Sequence, residues 1–324
     1  MRYLITGGAG FIGSHLVQSL LQDGHSVVVL DDFSTGRRTN LPLNTSSQLS
    51  IIDGSVLEKN TLHQAGASVD FIFHLAAAVG VFNIVQKPIE SMKTNITGTE
   101  NVLDFARAKE IPLLCTSSSE VYGKNTSDQL SEDDDRVLGS PAIARWSYSE
   151  AKAIDEFLAL AYFREYGLKT RVVRLFNTVG PGQLGSYGMV VPRFVSAALK
   201  NQDIEIYGTG EQTRCFTHVA DVIDALRSIA ASEKTIGEIV NIGNTAEISI
   251  KELAEKIISM TNSQSKIVFK EYRDVYESNF EDMKRRVPNI EKINRLVGWT
   301  PQRNLDDIIT DVIESEKKWL TKNQ

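Results

Sequence analysis

The sequence predicts an α/β fold: a doubly wound parallel sheet, with a smaller mixed α/β domain after it. Three observations predict this. Short apolar runs alternate with helical periods through the first half. Gly7, Gly10 and Gly13 sit between the first such run and the first helical period. After about Gly180 the elements become shorter and more polar. Strands that alternate with helices form a sheet buried on both faces, the Rossmann-type arrangement.

The elements follow in order. "RYLITGG" is an apolar strand ending in glycines. Phe11, Ile12, Leu16, Leu20 and Leu21 then recur with a helical period that Gly24 ends. "SVVVLDD", "LSIIDGSV" and "VDFIFHLAAA" read as strands two to four. A helix is expected from about Ile89 to Lys109, before a fifth strand, "IPLLCTSSS". "RWSYSEAK" opens the next helix, and "TRVVRLFN" is the sixth strand. Beyond it, "YGMVVPRFVSAALKNQ" and "ISIKELAEKIISMT" read as helices, and "DIEIYGTGEQTRCFTHV" as a strand and polar turn. Two more helices flank "GWTP" near the C-terminus. The expected division is residues 1–178 and 179–324, with "IVNIGN" at 239–244 returning to the first sheet.

Composition narrows the function. A net charge of −6 gives no broad basic face, so nucleic acid is not an expected partner. Two cysteines, Cys115 and Cys215, make no disulfide framework and are expected to be plain buried thiols. No apolar run approaches the ~18 residues a membrane span needs, and no membrane partner is expected. The first strand leaves no room for a signal peptide, so the cytoplasm is the expected location. The acidic run "SEDDDR" reads as a solvated loop, and no metal site is expected.

Gly7, Gly10 and Gly13 carry the first chemical signal. A tight turn, a close backbone approach and helix amides aimed at an anion suit a dinucleotide pyrophosphate. Asp31 closes the second strand 18 residues after Gly13. A carboxylate there accepts hydrogen bonds from ribose hydroxyls and repels a 2′-phosphate, which favours NAD over NADP. Arg37 and Arg38 are the counter-argument. Asp53 could meet the adenine amino group or simply cap a turn, and His74 reads as a packed core histidine.

Tyr148 and Lys152 lie four apart on a helix, one turn from each other on one face. A lysine about 4 Å from a phenol stabilises the phenolate by up to roughly 4 kcal/mol at an effective dielectric near ~20. That would pull a tyrosine below its ordinary value near ~10, helped by an oxidised nicotinamide. Tyr148 could then act as general base on a hydroxyl, with Ser118 sharing the proton.

Taken together, Gly7-x-x-Gly10-x-x-Gly13, Asp31, "HLAA" at 74–77, "SSSEVYG" at 117–123 and Tyr148-x-x-x-Lys152 resemble the extended short-chain dehydrogenase/reductases. "RLFNTVGPG", "YGTGEQTRCFTHVADV" and "RRVPNI…GWTP" narrow the resemblance to nucleotide-sugar epimerases, dehydratases and decarboxylases, over nearly the whole chain. The resemblance implies NAD contacts at Gly7, Gly10, Phe11, Ile12, Gly13, Asp31, Asp32, Asp53, Leu75, Ala76, Ala77, Asn95, Tyr148 and Lys152. It implies catalytic roles for Ser118, Glu120, Tyr148 and Lys152. Substrate contacts are implied at Arg145, Asn177, Val191, Tyr207, Arg214 and Arg286, with a UDP-linked sugar as the expected substrate.

All branches of such a family begin by oxidising the sugar at C4. A dTDP-glucose-type dehydratase carries Thr-Asp-Glu where this chain has Ser118-Ser119-Glu120, so the expected acid is missing. Glu120 and Arg145, three before the tyrosine, are similar to the UDP-glucuronate decarboxylases. Decarboxylation is therefore the first expectation and UDP-sugar 4-epimerisation the second. A non-catalytic NAD-binding protein and an NADPH reductase are disfavoured by the intact Ser118, Tyr148 and Lys152 and by Asp31 respectively. The resemblance also implies a homodimer through a four-helix contact. Leu103, Phe105, Ile154, Phe157, Leu158 and Leu160 are the apolar positions expected to serve it.

Overall fold

The computed structural model describes residues 1–42, 47–80, 86–185, 189–271, 283 and 285–322. Thirteen strands are described: β1 Arg2–Thr6, β2 Ser26–Asp31, β3 Leu49–Asp53, β4 Phe71–His74, β5 Leu113–Ser118, β6 Thr170–Leu175, β7 Thr178–Val179, β8 Ile204–Tyr207, β9 Thr213–Cys215, β10 Thr217–His218, β11 Ile239–Ile242, β12 Glu247–Ser249 and β13 Ile267–Lys270. The α-helices are α1 Phe11–Gln22, α2 Lys59–Ala65, α3 Pro88–Lys109, α4 Trp146–Tyr166, α5 Val190–Leu199, α6 Val219–Ala231, α7 Ile250–Thr261, α8 Glu291–Val297 and α9 Leu305–Lys322.

Seven strands form one parallel sheet in the order β11-β6-β5-β4-β1-β2-β3. The strand residues alternate between two cores, as a pleat requires. Ile5, Val27 and Val29 pack with α1 and α6 on one face. Leu4, Val28 and Leu30 pack with α2, α3 and α4 on the other. The strand order reverses between β1 and β4, and the carboxyl ends of these strands form the crevice where such sheets bind ligands. β11 lies beside β6 at the sheet edge, so residues 239–242 return to the first half's sheet.

The second half has its own core, built from α5, α7, α9 and β8. α7 starts with a capping box: the Ser249 hydroxyl accepts from the Glu252 amide at 3.1 Å and the Glu252 carboxylate accepts from the Ser249 amide at 3.0 Å. Gly298 ends α8 in the left-handed conformation, and the Trp299 indole nitrogen donates to the Asp221 carbonyl at 3.0 Å. A backbone seam joins the halves. The Leu130 amide donates to Val287 O at 2.8 Å, and the Asn289 amide donates to Leu130 O at 2.9 Å. That seam holds Arg286 over the end of β5.

Candidate active site

The crevice is a cavity of about 790 Å³, lined from both halves. Its floor is the glycine turn. Gly7 has φ +71°, and an added Cβ would lie 2.7 Å from the Ala76 amide nitrogen. A Cβ at Gly13 would lie 2.2 Å from Gly7 O. The turn therefore holds β1, α1 and the Leu75–Ala77 segment at a separation only glycine allows. α1 begins at Gly10 with no side chain capping it, so its first amides face the cavity mouth as an anion site.

Asp31 ends β2 at the same mouth. Its two carboxylate oxygens accept from the Ala9 amide at 2.8 Å and the Phe33 amide at 2.9 Å. Burial pushes this carboxyl up, and the two amides work against that. Each oxygen keeps a lone pair for a ribose hydroxyl. Phe11, Ile12, Asp32, Leu75, Ala76 and Ala77 also line the cavity. Their shape, the glycine contacts and the fixed carboxylate fit an adenine dinucleotide without a 2′-phosphate.

Two expected cofactor contacts stand elsewhere. Asn95 is fully buried and outside the cavity lining; its side-chain carbonyl accepts from the Ala78 amide at 2.9 Å and so braces the wall. Asp53 lies outside the lining too. Its carboxylate takes Arg38 Nη2 at 2.7 Å on the surface, and Arg38 lies over the Phe33 ring at 4.3 Å. The sequence shows both residues at strand and helix ends but not which neighbour captures them.

Tyr148 and Lys152 stand one turn apart on α4 and face the end of β5. Lys152 Nζ donates to Thr116 O at 3.0 Å and to Asp155 Oδ2 at 3.0 Å. Burial disfavours charge on Lys152, but Asp155 and Tyr148 more than offset it and raise its pKa. Burial also pushes the Tyr148 phenol above its ordinary value, with Lys152 and the Ser118 hydroxyl pulling the other way. The expected lowering by Lys152 alone is therefore not reached. The first physical reason is burial of the phenol; Glu120 and Asp155 add to it, and no motif marks Asp155.

Above the tyrosine is a second charged group. Arg286 Nη1 donates to Glu120 Oε1 at 2.8 Å and to Ser119 Oγ at 3.1 Å. Arg145 Nη2 approaches Glu120 at 3.4 Å. Burial opposes ionisation of Glu120, yet Arg286 and Arg145 hold its carboxyl down to about 2, with Arg214 adding to them. Glu120 is thus an ionised carboxylate, and its amide donates to Ser118 Oγ at 3.2 Å. Arg286 Nε is buried without a hydrogen-bond partner among the described residues.

The remaining substrate candidates also line the cavity: Asn177, Val191, Tyr207 and Arg214. Asn177 Nδ2 donates to Cys215 O at 2.9 Å, and Arg214 Nη1 donates to Thr213 O at 2.7 Å. Arg193, which no motif marks, lies over the Tyr207 ring at 4.2 Å and lines the same wall. Its only sequence signal is a lone cation in the apolar stretch "VVPRFV".

The chain as a whole is similar to known proteins. A model of the GDP-mannose 4,6 dehydratase family matches residues 4–312. The chain belongs to that family. It is 42% identical to the UDP-N-acetyl-alpha-D-glucosaminuronate decarboxylase of Bacillus cytotoxicus, over 97% of each chain. It is 37% identical to UDP-glucuronic acid decarboxylase 1 of Xenopus tropicalis, covering 98% of this chain and 73% of that one. Among solved structures, the UDP-glucuronic acid 4-epimerase of Bacillus cereus in complex with UDP-glucuronic acid and NAD superposes with a TM-score of 0.87 at 27% identity, over 98% of this chain and all of that one. The family membership, the sheet topology and the NAD-type cradle agree with what the motifs imply. Among the described residues no helix is long and apolar enough to cross a membrane.

Proposed function

We propose that the protein is an NAD-dependent UDP-hexuronate decarboxylase that works through a C4-keto sugar. One observation carries this reading. Arg145 and Arg286, both nearly buried, converge on one carboxylate, Glu120, directly beside Ser118. Arg286 Nε is buried there without a hydrogen-bond partner among the described residues, so it keeps a donor for an anion at the sugar end. A carboxylate on the sugar satisfies that donor. The decarboxylase relatives support the same choice.

Each residue then has a task. Tyr148 takes the C4 hydroxyl proton, and Ser118 shares it through a hydrogen bond. Lys152 supplies positive charge below the phenol. NAD, when bound, accepts the C4 hydride and later gives it back. The resulting C4 ketone lies β to the C5 carboxylate. The bond from C5 to the carboxyl carbon breaks, carbon dioxide leaves, and the electron pair moves into the C4 enolate. Tyr148 and Ser118 face that oxygen as donors. A proton returns to C5 before the ketone is reduced.

The test is product analysis. Purified protein with NAD is incubated separately with UDP-glucuronate and with UDP-N-acetylglucosaminuronate. Loss of carbon dioxide from either, seen by mass spectrometry, is expected. An unchanged mass with an inverted C4 hydroxyl by proton NMR replaces this reading with 4-epimerisation, the alternative that the Bacillus cereus structure favours.

We also infer a homodimer. Leu103 and Phe105 are buried in the chain's own core, so those two expected contact residues belong to the fold instead. Ile154 and Phe157 on α4 are exposed at 37% and 67% and remain as the apolar face a second copy would cover. Light scattering of wild type and Phe157→Asp tests it: a dimer that becomes a monomer is expected, and a monomeric wild type overturns it. The buried free thiols of Cys115 and Cys215 suit a reducing compartment such as the cytoplasm.

A further inference from the structure

Beneath Tyr148 lies a polar group that the proposed reaction does not use. Asp155 sits one turn after Lys152 on α4, and the two side chains are exposed at only 4% and 3%. A buried ion pair of this kind is a poor stability device, because apolar side chains of similar volume would pack at least as well. Its retention calls for a chemical reason.

The surroundings supply one. From β5, Thr116 O accepts from Lys152, and the Cys115 thiol is pushed up to about 12 by burial and by Asp155, so it stays neutral. From β4, His74 is held down to about 3 by burial and by Lys152, so it is neutral as well. Its ring nitrogens meet Thr6 Oγ1 at 2.8 Å and Thr99 Oγ1 at 3.1 Å. Burial pushes the Asp155 carboxyl up, while Lys152 and, from α3, the Thr99 hydroxyl pull the other way. On α4 itself, Glu156 is taken up by Arg174 at 2.8 Å and Ser117 at 2.6 Å. Glu120, beyond Tyr148, is taken up by Arg286 and Arg145. Lys152 therefore faces one unshared anion, Asp155.

We propose that Asp155 is a positioning residue for Lys152: its carboxylate fixes the ammonium group under Tyr148 and cancels part of its field. The lysine stays charged, but burial, Glu120 and Asp155 together hold the phenol above its ordinary value. The missing positive charge must come from the oxidised nicotinamide. The base is thus set only when the cofactor is bound in the form able to accept a hydride. This inference rests on the reading of Tyr148 as the base, and it adds the residue that regulates it.

The test reads the phenol directly and needs no substrate. Tyrosinate absorbance is titrated against pH, with the Tyr148→Phe protein subtracted, in the cofactor-free protein and in its NAD complex. In wild type, Tyr148 is expected to ionise at clearly lower pH in the NAD complex. Asp155→Asn is expected to move the cofactor-free titration down by roughly half a pH unit or more, since a nearby anion is gone. The alkaline limit of turnover should fall with it, because Lys152 loses the group that keeps it protonated. Asp155→Glu should restore both. An Asp155→Asn protein that melts lower but titrates like wild type overturns the proposal, leaving a merely structural role. If that variant does not fold, wild type decides: equal titrations with and without NAD overturn it. No outcome depends on which sugar nucleotide is turned over, so failure here is separate from failure of the decarboxylase reading.

Discussion

Two buried ionic clusters flank one reacting position, and they are built on opposite terms. Lys152 and Asp155 form a balanced pair, one cation to one anion, buried beneath the tyrosine. Glu120, Arg145 and Arg286 form a group that lines the cavity, where Arg286 Nε has no hydrogen-bond partner among the described residues. A balanced pair has no charge left to attract a ligand and can only orient and tune its neighbour. A group with an unmet cationic donor at a cavity wall is built to meet an anion. On the proposed reading, the first serves the redox step and the second serves recognition of the carboxylated sugar.

Three substitutions press on that division. The largest effect is expected at the position both clusters face. Tyr148→Phe should lower kcat by roughly a thousandfold or more while NAD binding, followed by calorimetry, stays within a few-fold. Loss of NAD binding instead would make the tyrosine a structural part of the cradle. The next is Arg286→Ala, which breaks the cavity-facing cluster. Affinity for UDP-glucuronate should drop by roughly 30- to 1,000-fold, the range for removing one partner of a buried charge pair. Affinity for UDP-glucose, which lacks the carboxylate, should change far less. Equal losses for both ligands would show that Arg286 binds the diphosphate, and the comparison would break.

The smallest effect is on stability in acid. Glu120 is held down to about 2 in the folded protein against an ordinary value of 4.5. A depressed carboxylate stabilises the fold above its unfolded value, and that contribution fades as pH falls from about 4.5 towards 2. It amounts to at most about 3 kcal/mol. Urea unfolding of wild type should therefore weaken more steeply across this window than that of Glu120→Gln. Parallel curves would mean the arginines do not grip Glu120 in solution.

The sequence exposed one cluster better than the other, for a physical reason. Strand runs, the glycine turn and the tyrosine–lysine spacing are periodic or local, so β1 to β6 and the cradle are legible residue by residue. Arg145, Glu120 and Arg286 were legible only through resemblance, since nothing in their spacing brings position 286 to position 120. Asp155 was not legible at all. A carboxylate at the fourth helical place could face water as readily as the sheet, and only packing of α4 on β5 turns it inward. Asp53 shows the reverse case: its motif position suggests adenine, but Arg38 lies within reach and takes it. Leu103 and Phe105 look like spare apolar positions, yet α3 is buried along a wider stripe than a single-face count allows.

The seam between Leu130 and residues 287–289 has a consequence for assembly of the chain. Lys152 meets its β5 carbonyl across 36 residues, whereas Arg286 meets Ser119 across 167. Closing the longer loop costs more entropy, and contacts of high sequence separation form later in folding. The redox half of the site is therefore a local product of the early chain, complete in its chemistry before the carboxylate half arrives. A chain ending short of residue 286 would carry the glycine turn and the tyrosine in its sequence but lack Arg286, together with the Ile293 and Trp299 side chains that complete the first core.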